Sequence, residues 1–281
     1  MKNIDISVLD EYIKAALKED IGYGDVTTLA IVPEEKKAFG KFTAKADGIF
    51  CGELVLKRIF GAIYADTEVK MLVCDGDEVK KGDVIAEVSG SARQLLAGER
   101  TALNIIQHLS GISTMTKKYV EKIKGTGAKI VDTRKTTPGM RFLEKYAVCV
   151  GGGTNHRFNL SDGILIKDNH IAAAGSIKTA VKLAKENCTH LLKIEVEVED
   201  NKGLLEAIEA GADVVMLDNM ELDEMKEAVK IAAGRVGLEA SGNMDTKDIR
   251  AIAESGVDII SMGALTHSAT VLDISLKLKL C

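Results

Sequence analysis

From residue 128 to residue 263 the chain repeats one pattern: a short apolar run, a polar or small-residue end, then a helical segment. The runs are AKIVDT, GILIKDN, LLKIEVEVE, DVVMLDN, RVGLEA and VDIISMG, and stretches such as AGSIKTAVKLAKENC and NKGLLEAIEAGA separate most of them. Alternating strands and helices of this kind give a parallel sheet joined by right-handed crossovers. Six such runs predict an α/β barrel with fewer than eight units. A doubly wound open sheet is the alternative, but no GxGxxG opens a helix in the right context.

The first hundred residues read differently. The opening MKNIDISVLDEYIKAALKED is an acidic amphipathic helix, and KKAFGKFTAKADGIFCG and DTEVKMLVCDGDEVKKGDVIAEVSG are strand-like pieces broken by Asp-Gly and Lys-Gly turn signals. These predict an α+β domain. From Ser91 a helical pattern begins, with Leu95, Leu96, Leu103, Ile106, Leu109 and Met115 near helical spacing and a possible break at Ser110-Gly111. The segment DGDEVKKGDVIAEV is similar to the hairpin of lipoyl or biotinyl carrier domains, yet it lacks their modified-lysine turn.

Bulk properties narrow the classes. A chain of 281 residues can bury a sizeable core, and 46% hydrophobic with 28% charged residues is the balance of a soluble globular protein. A formal net charge of −5 with only 4% aromatic residues argues against a nucleic-acid binder. No apolar run reaches the roughly 18 residues a membrane span needs. The start lacks signal-peptide regions, so the expected location is the cytoplasm. Five scattered cysteines without a CxxC pair predict reduced thiols rather than a zinc site or a disulfide framework.

The strand ends carry the chemistry. They read Asp132-Thr133-Arg134-Lys135, Lys167-Asp168-Asn169, Glu195 and Glu197, Asp218-Asn219, Glu239-Ala240-Ser241-Gly242 and Ser261-Met262-Gly263. In α/β barrels the carboxyl rim is where active sites sit. Cations follow the first two strands: Arg134, Lys135, His156, Arg157 and Lys167, with Arg141 close in sequence. Guanidinium forks match carboxylates or phosphates bidentately, and so many cations exceed what a monocarboxylate satisfies. A small polyanionic substrate is indicated. The later strands carry Glu195, Glu197 and Asp218, suited to ribose hydroxyls or a hydrated Mg²⁺. Two residues apart on one strand, Glu195 and Glu197 point to the same face. The loop SGNMDTKDI offers glycine, polar caps and a helix start for a phosphate, or an ordinary turn capped by Asp245.

Together VDTRKTTPGMR, GGGTNHR, IKDNH, EVEVE and LDN, with EDIGYGDVTT, AGERTALN and SMGALTH, run nearly end to end. On these motifs the chain resembles the quinolinate phosphoribosyltransferase family. The resemblance implies an N-terminal sandwich domain (1–110, joined by the tail at about 268–281) and an incomplete α/β barrel (111–267). It implies a homodimer with sites at the subunit interface, and it leaves open further assembly to a hexamer.

By the same resemblance the substrates are quinolinate and phosphoribosyl pyrophosphate, with Mg²⁺ arriving on the latter, no direct protein metal ligand and no organic cofactor. Arg134, His156, Arg157 and Lys167 match the quinolinate-binding cations, with Arg100 reaching in from the partner subunit. Lys135, Glu197 and Asp218 match the reaction centre, and Thr133 and Glu195 belong to the substrate-binding rim. Ser241, Gly242 and Asn243, and Met262, Gly263 and Ala264, match the 5-phosphate loops. Here Asn243 stands where the family commonly has glycine. The remaining histidines, His108, His170, His190 and His267, are read as structural.

Overall fold

The computed structural model describes residues 4–63 and 67–281. In chain order its principal elements begin with α1 (Ile6–Ile21), α2 (Val26–Ile31), β1 (Lys37–Ala44), α3 (Glu53–Ile63), β2 (Glu68–Met71), β3 (Val84–Ser91) and α4 (Ala92–Lys122). Then follow β4 (Lys129–Val131), α5 (Arg141–Val150), β5 (Ile164–Ile166), α6 (Asp168–Ala174), α7 (Ile177–Asn187), β6 (Ile194–Val198) and α8 (Asn201–Ala210). The chain closes with β7 (Val214–Asp218), α9 (Leu222–Ala232), β8 (Gly237–Ser241), α10 (Ile249–Glu254), β9 (Ile259–Ser261), α11 (Ala264–His267) and β10 (Ile274–Leu280).

Two compact units result: Met1–Lys117 with Thr137–Gly152 and Ser268–Cys281, and Lys118–Thr136 with Gly153–His267. In the first, an antiparallel sheet runs β10-β1-β3-β2, with Ala38 opposite Leu280 and Ala44 opposite Ile274. Strand β1 alternates strictly, burying Ala38, Gly40, Phe42 and Ala44, as the two-residue strand period requires. Phe42 and Phe60 meet at 6.1 Å in a core that also holds Leu56, Ile59 and Ile85. Asp5 caps α1, accepting from the Ser7 backbone N–H at 2.8 Å, and Leu9, Ile13 and Leu17 form its buried stripe.

Segments 111–117 and 137–152 cluster with the first unit. The reason lies in α4, which is continuous from Ala92 to Lys122 with no break at Ser110-Gly111. The Ser110 hydroxyl accepts from the Cys51 backbone N–H at 3.0 Å. A β-carbon on Gly111 would overlap the Thr270 carbonyl. The pair therefore marks a close approach rather than a helix end. Likewise Ser113 donates to the Ala147 carbonyl at 2.8 Å, tying α5 to α4.

The second unit is a six-stranded, all-parallel sheet in the order β4-β9-β8-β7-β6-β5, an incomplete α/β barrel. Its strands are buried and apolar through their middles, with Ile130, Ile166, Val196, Val215, Leu238 and Ile260 at 5% exposure or less. Helix starts follow directly: Ser176 caps α7 through the Thr179 N–H and Asp200 caps α8 through the Gly203 N–H. Gly175 and Gly211 close α6 and α8 with left-handed backbone. In the loop after β8, Asp248 rather than Asp245 caps α10; Asp245 lies in a single 3₁₀ turn, Met244–Thr246. None of the five cysteines is in a disulfide, and no helix among the described residues is long and apolar enough to cross a membrane.

Candidate active site

Parallel strands all end at the same rim, so the polar ends are collected by topology, and a cavity of about 660 Å³ opens there. It lies entirely within the second unit. Thr133, Arg134, Lys135, His156, Arg157, Lys167, Glu197 and Asp218 line it, as do Ser241, Gly242, Asn243, Met262, Gly263 and Ala264. Of the cations and carboxylates named from the sequence as rim groups, three lie elsewhere, Arg141 among them, at the start of α5 in the first unit. Arg100 is exposed on α4 of the first unit. Glu195 sits one layer below the cavity wall, because two residues along a strand share a face but differ by nearly 7 Å in depth.

The cationic side is built on Asp132, fully buried at the end of β4. Its carboxylate accepts from the Asn155 amide at 2.5 Å and from the His156 backbone N–H at 3.0 Å, fixing the glycine-preceded loop. The Arg157 backbone N–H donates to His156 Nδ1 at 2.8 Å, and Arg157 Nη1 donates to the Gly163 carbonyl at 2.9 Å. Burial lowers the Arg157 pKa, and the charge of Arg134 lowers it further. Two guanidiniums held close enough to repel are relieved by a bound anion.

Beneath them, with Nδ1 engaged, the His156 ring proton lies on Nε2. It points at Glu195 Oε2 (3.0 Å), with Glu239 Oε2 at 3.7 Å. His156 thus presents its ring to the cavity while both nitrogens bind protein groups. Lys167 leaves β5 and ion-pairs with Glu197 on the adjacent β6. Its backbone N–H donates to His170 Nδ1 at 2.9 Å, which sets the start of α6.

On the opposite side, Asp218 accepts from the Asn219 amide at 2.7 Å, and the Asn219 backbone N–H donates to the Ser241 carbonyl at 3.0 Å. Asn219 and Asn243 both adopt left-handed backbone, φ +56° and +48°, the region asparagine tolerates best after glycine. Gly242, at φ +96°, packs where a β-carbon would overlap the Asn219 side chain. Lys135 and His267 both fold over Gly263, and the Thr266 hydroxyl donates to the Lys135 carbonyl at 2.7 Å.

Asn219, Glu239, Ser261 and His267 also line the cavity, although none of them was assigned to substrate from the motifs. Glu239 and Ser261 were visible as strand ends, and His267 closes the SMGALTH motif.

Cations on one side, carboxylates on the other and small-residue loops between define an anion-handling α/β-barrel enzyme site. Residues 112–277 match the quinolinate phosphoribosyl transferase C-terminal domain and residues 25–110 its N-terminal domain, and the chain belongs to that family. It is 48% identical to a probable nicotinate-nucleotide pyrophosphorylase (carboxylating) of Bacillus subtilis, over 93% of this chain and 90% of that one. A protein of the same description from Methanocaldococcus jannaschii is 45% identical, over 94% and 95%. The crystal structure of NadC from Streptococcus pyogenes superposes with a TM-score of 0.94 at 43% identity, covering 100% of each chain.

Proposed function

We propose that the chain transfers the phosphoribosyl group of phosphoribosyl pyrophosphate to quinolinate with decarboxylation, giving nicotinate mononucleotide, pyrophosphate and CO₂ in NAD biosynthesis. The observation that carries this reading is the sorting of charge around one cavity: Arg134, Arg157 and Lys167 on one side, Glu197 and Asp218 on the other. The cations hold the two ring carboxylates, with His156 as floor and orienting group for Arg157. Loops 241–243 and 262–264 take the 5-phosphate through backbone N–H groups.

As the bond from ribose C1 to pyrophosphate breaks, positive charge grows on C1, and Glu197 and Asp218 favour it by placement. The quinolinate nitrogen attacks C1, and Lys135 stands beside the departing anion. The resulting pyridinium nitrogen stabilises the electron pair left at C2 when CO₂ departs, and a proton then takes its place. Glu197 and Asp218 are oxygen donors of the kind that would suit a hydrated Mg²⁺ carried on the pyrophosphate, where such an ion would neutralise part of the charge. Neither is assigned as a direct ligand, and no organic cofactor is required. A homodimer in which Arg100 of one subunit serves the other's cavity completes the reading.

Incubation with quinolinate, phosphoribosyl pyrophosphate and Mg²⁺ should yield nicotinate mononucleotide and CO₂ together. Nicotinate lacks one carboxylate and leaves site cations unpaired, which can lower reactivity by about 10⁴–10⁵. Comparable rates with nicotinate would overturn the assignment.

A further inference from the structure

At the base of the cavity, His156, the floor of the quinolinate site in the reading above, meets two carboxylates that the reading gives no role, Glu239 in the wall and Glu195 behind it. His156, Glu195 and Glu239 have side-chain exposures of 13, 12 and 2%, and one potential ligand atom from each lies within 4.8 Å of the others. Glu195 Oε1 and Glu239 Oε1 are both buried without a hydrogen-bond partner. Two carboxylates this close in a dry site cannot both ionise cheaply, because each charge lacks water and faces the other. His156 offers a single N–H between them. A divalent ion in this place would be repelled by the neighbouring Arg157, whereas one proton neutralises the pair without adding a second positive charge.

We infer that Glu195 and Glu239 share one proton beneath the cavity, and that a dicarboxylate binds only to the form carrying that proton, so binding is coupled to proton uptake at alkaline pH. The inference rests on the quinolinate reading above. Burial pushes Glu239 up to about 8, and the Glu195 charge pushes the same way, while His156 and the Ser261 hydroxyl pull it down. Those groups reach it from β6, from the loop between α5 and β5, and from β9. Farther out, the rim adds Arg134, Lys135, Arg157 and Lys167 against Glu197 and Asp218. Losing the proton puts a second negative charge directly under the place a dianion must occupy, and that charge cancels part of the field of the guanidiniums. A bound dianion in turn raises the proton affinity of the pair, as reciprocity requires.

Isothermal titration of quinolinate into the intact protein at pH 7 and pH 9, each in two buffers of different ionisation enthalpy, tests this. Wild-type affinity should fall about tenfold between the two pH values, with close to one proton taken up per quinolinate at pH 9 and little at pH 7. In Glu239→Gln the amide donates to Glu195 at every pH, so both the fall and the uptake should vanish. Wild-type binding with equal affinity at both pH values and no proton uptake overturns the inference and leaves the functional reading standing. A slope that persists unchanged in a folded Glu239→Gln protein also overturns it. Absence of quinolinate binding at either pH overturns the functional reading, and this inference with it. The wild-type proton count decides the matter even where the variant does not fold.

Discussion

Lys167 and Glu197 are ion-paired across adjacent parallel strands, so the cationic and acidic halves of the rim meet in a single contact. A charged hydrogen bond is worth about 1.5–3 kcal/mol. Lys167→Met should therefore lower kcat/KM for quinolinate by about 10- to 100-fold, mainly through KM, while Glu197→Gln should act mainly on kcat. Steady-state kinetics with each substrate varied would reveal it. The reverse pattern would mean the two side chains have been given each other's roles.

Burial lowers the pKa of Arg157, and the nearby charge of Arg134 lowers it further, so an anion between the two guanidiniums relieves both. Arg134→Ala and Arg157→Ala should each abolish measurable quinolinate binding by calorimetry while shifting Tm by no more than a few degrees. Near-normal affinity in both would remove the cation pocket.

Gly242 combines a left-handed φ of +96° with contact against Asn219, whose backbone nitrogen lies 2.8 Å from where a β-carbon would stand. Gly242→Ala should cost about 1–3 kcal/mol in backbone strain alone. It should also raise KM for phosphoribosyl pyrophosphate more than that for quinolinate. Thermal unfolding and paired KM measurements check both, and unchanged values of each would show that the loop has no part in phosphate binding.

Glu239 holds its proton more tightly in the fold, at about 8, than the ordinary glutamate value of 4.5. A raised folded pKa makes its contribution fullest below the unfolded value, and the contribution is lost as pH climbs toward 8. Wild-type stability should thus decline relative to Glu239→Gln by on the order of 1 kcal/mol per pH unit between pH 5 and 8, then level off. Urea unfolding at pH 5, 6.5 and 8 measures the gap, and parallel curves would show that the carboxyl is ionised throughout.

The proposed homodimer assigns Arg100, exposed on α4 in the first unit, to the cavity of the other subunit. Inactive Arg100→Ala and Glu197→Ala dimers should regain activity after mixing and subunit exchange, since one of the two sites in a mixed dimer is then whole. With exchange demonstrated by mass spectrometry, absence of recovery would count against a shared site.

Much of the rim was readable because strand ends are local. Apolar runs mark strands, and the residue after each run stands at the carboxyl edge whatever the rest of the chain does. Arg134, Lys167, Glu197 and Asp218 could all be placed this way. Depth and partnership are not local. Glu195 and Glu197 share a face by period, yet one reaches the cavity and the other bonds His156 beneath it. Gly111 looked like a helix break until the close Thr270 backbone explained it. His267 had no periodic signal, and it lines the cavity because α11 begins directly after Gly263.

The sequence by itself determined the alternating parallel barrel, the charge sorting around its rim and, through its long motifs, the family. Those properties depend on periodicity and on chain order, which a linear string preserves. Only the tertiary structure decided that His156 turns its N–H inward, that Lys167 pairs with Glu197, and that Glu239 lies buried beside Glu195. Each of these depends on distances across strands far apart in sequence, where burial and the nearness of like charges set protonation.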